Sequence, residues 1–285
     1  MELKPISQTT ALPNTASDAK KYRLGVALSG GGARGIAHAG ALLAIEHAGY
    51  TPEVVAGVSA GSVVAVLYSA GIRPIQIAEM FAATGFRDFA NVSFGGGGLF
   101  DIEKFKNFIM RRIGSYSNIE DLPIPTYICA TDLDHACPVA FDRGAIGPRM
   151  IASCSIPIVF RPVVINGVHY VDGGVLRNHP AWVLRDKCET LIGVNVSPLK
   201  PAQDYNSIIS VAMRTYNLMA KANQQADMSI CDVSVSTPEI VNNAVFSLKN
   251  IKELFLTGYF NTRNALIDAK MWKTGEVQNN AQITR

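Results

Sequence analysis

The 285-residue chain has almost no charge bias. Lys and Arg total 26 and Asp and Glu 23, for a formal net charge of +3. That is too weak for the electrostatic footprint of a nucleic-acid binder, so no nucleic acid is expected as a partner. It is compatible with anionic lipid headgroups but does not require them. Cys-x-x-Cys spacing is also missing. The five cysteines, Cys129, Cys137, Cys154, Cys188 and Cys231, are odd in number. They read as free, mostly buried thiols of a reducing compartment, with a single disulfide left open. The first twenty residues hold no apolar run of signal-peptide length, and no stretch is long enough to span a bilayer. The expected location is therefore the cytoplasm, with any membrane contact peripheral. There is no internal repeat and no clear domain boundary.

What is present fits one large α/β domain or two small ones, with ample length to bury a core. Hydrophobic residues are 48% and charged residues 17% of the chain, an ordinary globular balance with an apolar lean. The N-terminus is rich in Ser, Thr, Ala and Pro. Loose tails are expected over 1–21 and 271–285, with the domain at 22–270.

Structure is expected to begin at Tyr22. Arg23 to Ser29 reads as a short buried strand, Gly30-Gly31-Gly32 ends it, and Ala33 to Gly49 turns helical with Ile36, Leu42, Leu43 and Ile45 on a broad apolar face. The unit then repeats: strand at Val54 to Val58, turn at Ser59, apolar helix from Ala60 to Ala70. Two such units imply parallel strands with crossover helices, the α/β class. Later strands are predicted at Thr126 to Asp132, His169 to Val171 and Thr190 to Val196. Further helices are predicted at Pro74 to Thr84, Ile102 to Ile113 and Ile208 to Gln224. The last carries Ile209, Ala212, Met213, Tyr216, Met219 and Ala220 at helical spacing. It reads first as a helix packed on the sheet and second as a lipid-facing element. Phe94 to Leu99, with its four glycines, reads as a solvent loop or the hinge of a lid.

Three constellations carry chemistry. Gly57-Val58-Ser59-Ala60-Gly61 matches G-x-S-x-G between a strand and a helix. The serine must sit on a very tight turn, where side chains two residues either side would collide; hence Gly57 and Gly61. Gly30-Gly31-Gly32-Ala33-Arg34-Gly35 follows a strand and opens a helix. It reads either as a dinucleotide-binding turn or as a loop offering backbone N–H groups to an oxyanion. The nucleotide reading needs an acid ending the second strand, whereas Glu53 precedes it, and it leaves the serine elbow unexplained. The oxyanion loop is favoured. Asp172-Gly173-Gly174 puts a carboxylate at a strand end, an ordinary Asp-Gly turn unless read with the other two motifs.

Serine needs a base, usually histidine. His38 and His47 lie on the first helix, His135 in a polar loop, and His169 on the strand of Asp172 but facing away from it. His179 alone follows in the order Ser, Asp, His, which leaves a conventional triad open.

GGGARG, GVSAG and DGG, in this order, resemble the patatin-like phospholipase family, compact bacterial type. So do Glu120 to Pro125, Ala130 to Leu133, Ala152-Ser153, Ile156 to Phe160, Val171 to Pro180 and, more weakly, Leu256 to Tyr259. The likeness covers roughly Tyr22 to Leu266. It implies a three-layer α/β/α fold with a central, mostly parallel sheet, and neither metal nor cofactor. It also implies a Ser-Asp dyad, with Ser59 as nucleophile, Asp172 as base, and an oxyanion hole from the Gly30 to Gly35 loop, chiefly Gly31 and Gly32. The expected function is a serine acyl hydrolase acting on carboxylic esters, of lysophospholipids, phospholipids or other lipids, through an acyl-enzyme. The alternative is a catalytically silent lipid-binding or regulatory module of the same fold; a nucleotide-binding protein is a more distant rival.

Overall fold

In the computed structural model, residues 20–83, 91–92, 100–101, 103–202, 205–243 and 250–272 are described. The first half alternates strand and helix: β1 (Tyr22–Leu28), α1 (Ile36–His47), β2 (Val54–Val58), α2 (Ala60–Ser69) and α3 (Pro74–Ala82). A two-stranded ribbon follows, β3 (Asn91–Val92) and β4 (Phe100–Asp101), then α4 (Glu103–Arg112). Next come β5 (Thr126–Asp132), β6 (Cys137–Phe141), α5 (Ile146–Cys154), β7 (Val163–Ile165) and β8 (Val168–Asp172). The chain closes with α6 (Ala181–Leu184), β9 (Cys188–Asn195), α7 (Ile208–Ser229), β10 (Val233–Ser236) and α8 (Ile251–Asp268).

The main sheet runs β10-β9-β1-β2-β5-β8-β7, with β6 also paired to β5. The five strands from β10 to β5 are parallel. β8, β7 and β6 are antiparallel to their neighbours. The sheet is thus mostly parallel, and its central strands explain why. β2 is buried along its whole length, which suits a strand covered by helices on both faces.

Side-chain alternation divides the core in two. Val26, Leu28 and Val55 face a large cluster with α1, α2, α3 and α8. Ala27, Val54, Ala56 and Val58 face a smaller one with Ala181, Val183 and Leu184 of α6. Helices on both faces of one sheet give the three-layer α/β/α architecture.

α1 is buried from Ile36 through Ile45, His38 included. Its contact with α8 relies on small residues: a Cβ on Gly40 would stand 1.9 Å from the Phe255 carbonyl oxygen, and one on Gly258 1.9 Å from that of Ala37.

The expected tails lie outside the described residues over 1–19 and 273–285, as does the glycine run within 93–99. Met271 and Trp272, at the start of the expected C-terminal tail, pack partly buried against the core. All five cysteines are free. No described helix is long and apolar enough to cross a membrane.

Candidate active site

Ser59 joins β2 to α2 with φ 52° and ψ −124°, a conformation that costs a non-glycine residue about 1–3 kcal/mol. The surroundings over-determine it. A Cβ on Gly57 would lie 2.3 Å from the Gly61 carbonyl oxygen, and one on Gly61 2.3 Å from that of Leu28. The Ser59 N–H donates to Ser153 Oγ at 2.8 Å, and Ser153 Oγ donates to the Cys129 carbonyl at 2.6 Å. The elbow is thereby tied through α5 to β5. Ser59 also heads α2, whose N-terminal dipole favours negative charge there.

Asp172 ends β8, which pairs with β5, the strand beside β2. That sheet order carries the carboxylate to the serine. Asp172 is fully buried. Its N–H donates to the Ser155 carbonyl at 2.9 Å, and its Oδ1 accepts from the Gly174 N–H at 2.8 Å. Among the described residues Oδ2 has no hydrogen-bond partner, though it is buried. Burial raises the pKa to about 6, against the opposing pull of the Ser59 hydroxyl, the Gly174 N–H and the Tyr216 hydroxyl. A carboxylate of this kind is a far better base near neutrality than an exposed one.

The glycine loop lies alongside. Gly30 donates its N–H to the Asn178 carbonyl at 3.1 Å, so that group is occupied. Gly32 has φ +59°. Among the described residues, no backbone carbonyl accepts from the N–H of Gly31 or Gly32. Both glycines line a cavity of about 70 Å³ with Ser59, Arg34, Ile156 and Tyr216. Ala33 and Gly35 are buried in the short 3-10 turn that leads into α1, with Gly35 against Ala60. Within the motif, then, Gly31, Gly32 and Arg34 reach the cavity, while Gly30, Ala33 and Gly35 build the turn. Arg34 donates to the carbonyls of Pro198, Val241 and Asn243 at 3.0, 3.1 and 2.8 Å. Its charge does not figure among the influences on Asp172. Gly173 is buried behind the base, close to Val58 and Cys129.

Among the described residues no histidine bonds to Ser59 or Asp172. His38 Nε2 meets the Ser29 carbonyl at 2.8 Å and His47 Nδ1 the Tyr259 hydroxyl at 3.0 Å. His135 pairs with Asp132 at 2.9 Å and His169 with Asp134 at 3.1 Å. His179 is fully buried, and among the described residues neither ring nitrogen has a partner. Burial, reinforced by His38, lowers its pKa to about 3. The triad left open by residue order is not assembled here. Glu53, the acid weighed for a nucleotide ribose, is paired with Arg23 at 2.6 Å.

The patatin-like phospholipase family model matches residues 26–185, a span that holds the Gly30–Gly35 loop, the Ser59 elbow and Asp172. The chain belongs to the patatin-like phospholipase family. An uncharacterized NTE family protein of Mycobacterium tuberculosis is 33% identical over 188 residues, covering 64% of this chain and 52% of its own. Lysophospholipase NTE1 of Meyerozyma guilliermondii is 25% identical over 245 residues, covering 82% of this chain and 17% of its own. The patatin-like chain thus spans about half the length of the mycobacterial relative. Among solved structures, VipD from Legionella pneumophila superposes with TM-score 0.50 at 13% identity, over 87% of this chain and 67% of that one, a likeness of fold alone.

Sequence reasoning missed two groups of this patatin-like site. Tyr216 read only as part of an apolar helix face. Ser153 lay inside a family-like segment but had no assigned task. Both are supplied from elements remote in sequence, so no local pattern signals them.

Proposed function

We propose that this patatin-like protein is a serine acyl hydrolase that cleaves the carboxylic esters of lipids, with Ser59 as nucleophile and Asp172 as base. One observation carries the reading: a strained serine and two backbone N–H groups that have no carbonyl partner among the described residues line one cavity, and the buried Asp172 carboxylate, its pKa raised, lies beside that serine. Asp172 takes the Ser59 proton as Oγ attacks the ester carbonyl carbon. The resulting oxyanion is held by the N–H groups of Gly31 and Gly32, an interaction in which one donor is typically worth about 2.7–4 kcal/mol. The tetrahedral adduct collapses, the C–O bond to the alcohol breaks, and Asp172 returns the proton to the leaving oxygen. Water then attacks the acyl-Ser59 ester as Asp172 accepts its proton. Collapse of this second adduct frees the carboxylic acid and restores the serine.

The lipid class is favoured by the relatives, since fungal members bear the name lysophospholipase. The test is hydrolysis of p-nitrophenyl butyrate and of lysophosphatidylcholine by the wild type and by Ser59→Ala, Asp172→Asn and His179→Ala. The first two variants should lose kcat by about 10³-fold or more while staying folded. The third should retain turnover. Loss in a folded His179→Ala protein would restore the triad. Absence of turnover in the wild type would favour the silent lipid-binding module.

A further inference from the structure

The face that α7 turns to the protein is mixed: Met213 and Tyr216 pack on an apolar cluster and Ala220 and Met228 are buried, while Asn223 donates to the Gly174 carbonyl, Gln224 accepts from Asn178, and Asp227 is buried against Arg177. Its outward stripe is apolar and uncharged. Ile208 is 88% exposed, Val211 49%, Leu218 48% and Met219 41%. Such a stripe normally seeks a partner.

The charges decide which partner. Positions 208, 211, 215, 218 and 222 follow the three-four spacing of a helix-pairing seam, with Thr215 and Ala222 completing it. Arg214 and Lys221 fall one residue before Thr215 and Ala222, where a paired helix would need acids opposite. Between 205 and 226 the sequence has no acidic residue. Among the described residues neither Arg214 nor Lys221 has a carboxylate partner. A second copy would bring like charge to like charge, whereas an anionic phospholipid surface supplies both hydrocarbon and negative headgroups.

Position supports the same partner. Tyr216, Asn217 and Ala220 of this helix line the cavity that holds Ser59. Met213 and Tyr216 pack on the cluster of Ile156, Val159 and Phe160. Within that loop Ile158 is 39% exposed at φ +77°, a strained conformation for a β-branched residue. One apolar side chain is thus held at the surface, at a conformational cost, within the loop that α7 packs against.

We infer that the outward stripe of α7 docks on anionic phospholipid bilayers, seating the Ser59 cavity at the lipid surface. The inference deepens the acyl hydrolase reading by naming the surface from which substrate is drawn, yet docking is measurable without turnover. The experiment is co-sedimentation with vesicles of phosphatidylcholine, with and without phosphatidylglycerol. Light scattering and p-nitrophenyl butyrate hydrolysis are measured on the same samples. Wild type should sediment with phosphatidylglycerol vesicles and less with phosphatidylcholine alone. Val211→Ser with Leu218→Ser should lower the partition coefficient by about tenfold or more. Lys221→Glu should weaken binding only where phosphatidylglycerol is present, and both variants should keep wild-type turnover of the soluble ester. The inference is overturned if the wild type stays in the supernatant or the double variant binds as well as wild type. It also fails if a wild-type dimer becomes a monomer in the double variant, which would make the stripe a self-association seam. Vesicle binding without any ester turnover would instead sink the hydrolase reading and leave docking in place.

Discussion

At the scale of single residues, Asp172 is the group on which chemistry and stability meet. With its pKa raised to about 6 by burial, it is ionised at neutral pH and protonated in mild acid. The kcat/KM of ester hydrolysis should therefore fall about tenfold per pH unit below an apparent pKa near 6. A limb near 4 would show a carboxylate that is not desolvated. The same shift sets a stability effect of opposite sense. The folded value lies above the ordinary 3.8. The stability this residue contributes is thus fully present below 3.8 and lost as pH rises through about 6, a loss of roughly 3 kcal/mol. Asp172→Asn should accordingly be more stable than wild type to urea at neutral pH and equal to it near pH 4; a variant less stable at both would contradict the assignment. What the sequence could not show is where Arg34 goes: its guanidinium donates to the carbonyls of Pro198, Val241 and Asn243, and two of these come from a segment some two hundred residues away.

At the scale of elements, α1 and α8 cross with their backbones in close approach. A side chain on Gly258 would drive into the backbone of Ala37, and overpacking typically costs about 1–3 kcal/mol or more. Gly258→Val should lower the urea midpoint by a corresponding amount. An unshifted midpoint would show that the two helices can separate freely.

The crossing also shows which elements a sequence can declare. β2 and β5 were legible to the residue, because β2 is a continuous apolar run and β5 carries one from Tyr127 to Ala130, each bounded by turn signals. β6, β7 and β10 were not. β6 carries Pro138 and is only half-buried, β7 has three residues, and β10 is a four-residue strand with alternate positions buried. α5 was masked by Gly147 and Pro148. α8 was seen only as a short motif, since its buried face includes Gly258 and Thr262 in place of larger apolar residues.

For the whole molecule, the buried histidines set the acid limit. His38 and His179 have pKa values lowered by burial to about 4 and about 3. Groups depressed in the folded state contribute stability that is complete above the ordinary 6.5 and is lost as pH falls through the folded values. Urea midpoints should therefore drop progressively below pH 6.5, with Asp172 offsetting part of the loss between about 6 and 4. The drop should shrink in a folded His179→Ala variant. A pH-independent midpoint across this window would mean that neither ring is truly desolvated. The motifs for the site were legible because each is local, while their convergence followed only from the family resemblance. It depends on β8 returning beside β5, an antiparallel step next to the parallel strands.

The central claim is that Ser59 is a nucleophile activated by Asp172 without a histidine. Its most direct test is fluorophosphonate labelling followed by peptide mass spectrometry on the wild type, Asp172→Asn and His179→Ala. The predicted result is a single phosphonylated residue, Ser59, in the wild type and His179→Ala, and little or no adduct in folded Asp172→Asn. Labelling at another residue, or labelling unchanged by loss of the Asp172 carboxylate, would contradict the dyad.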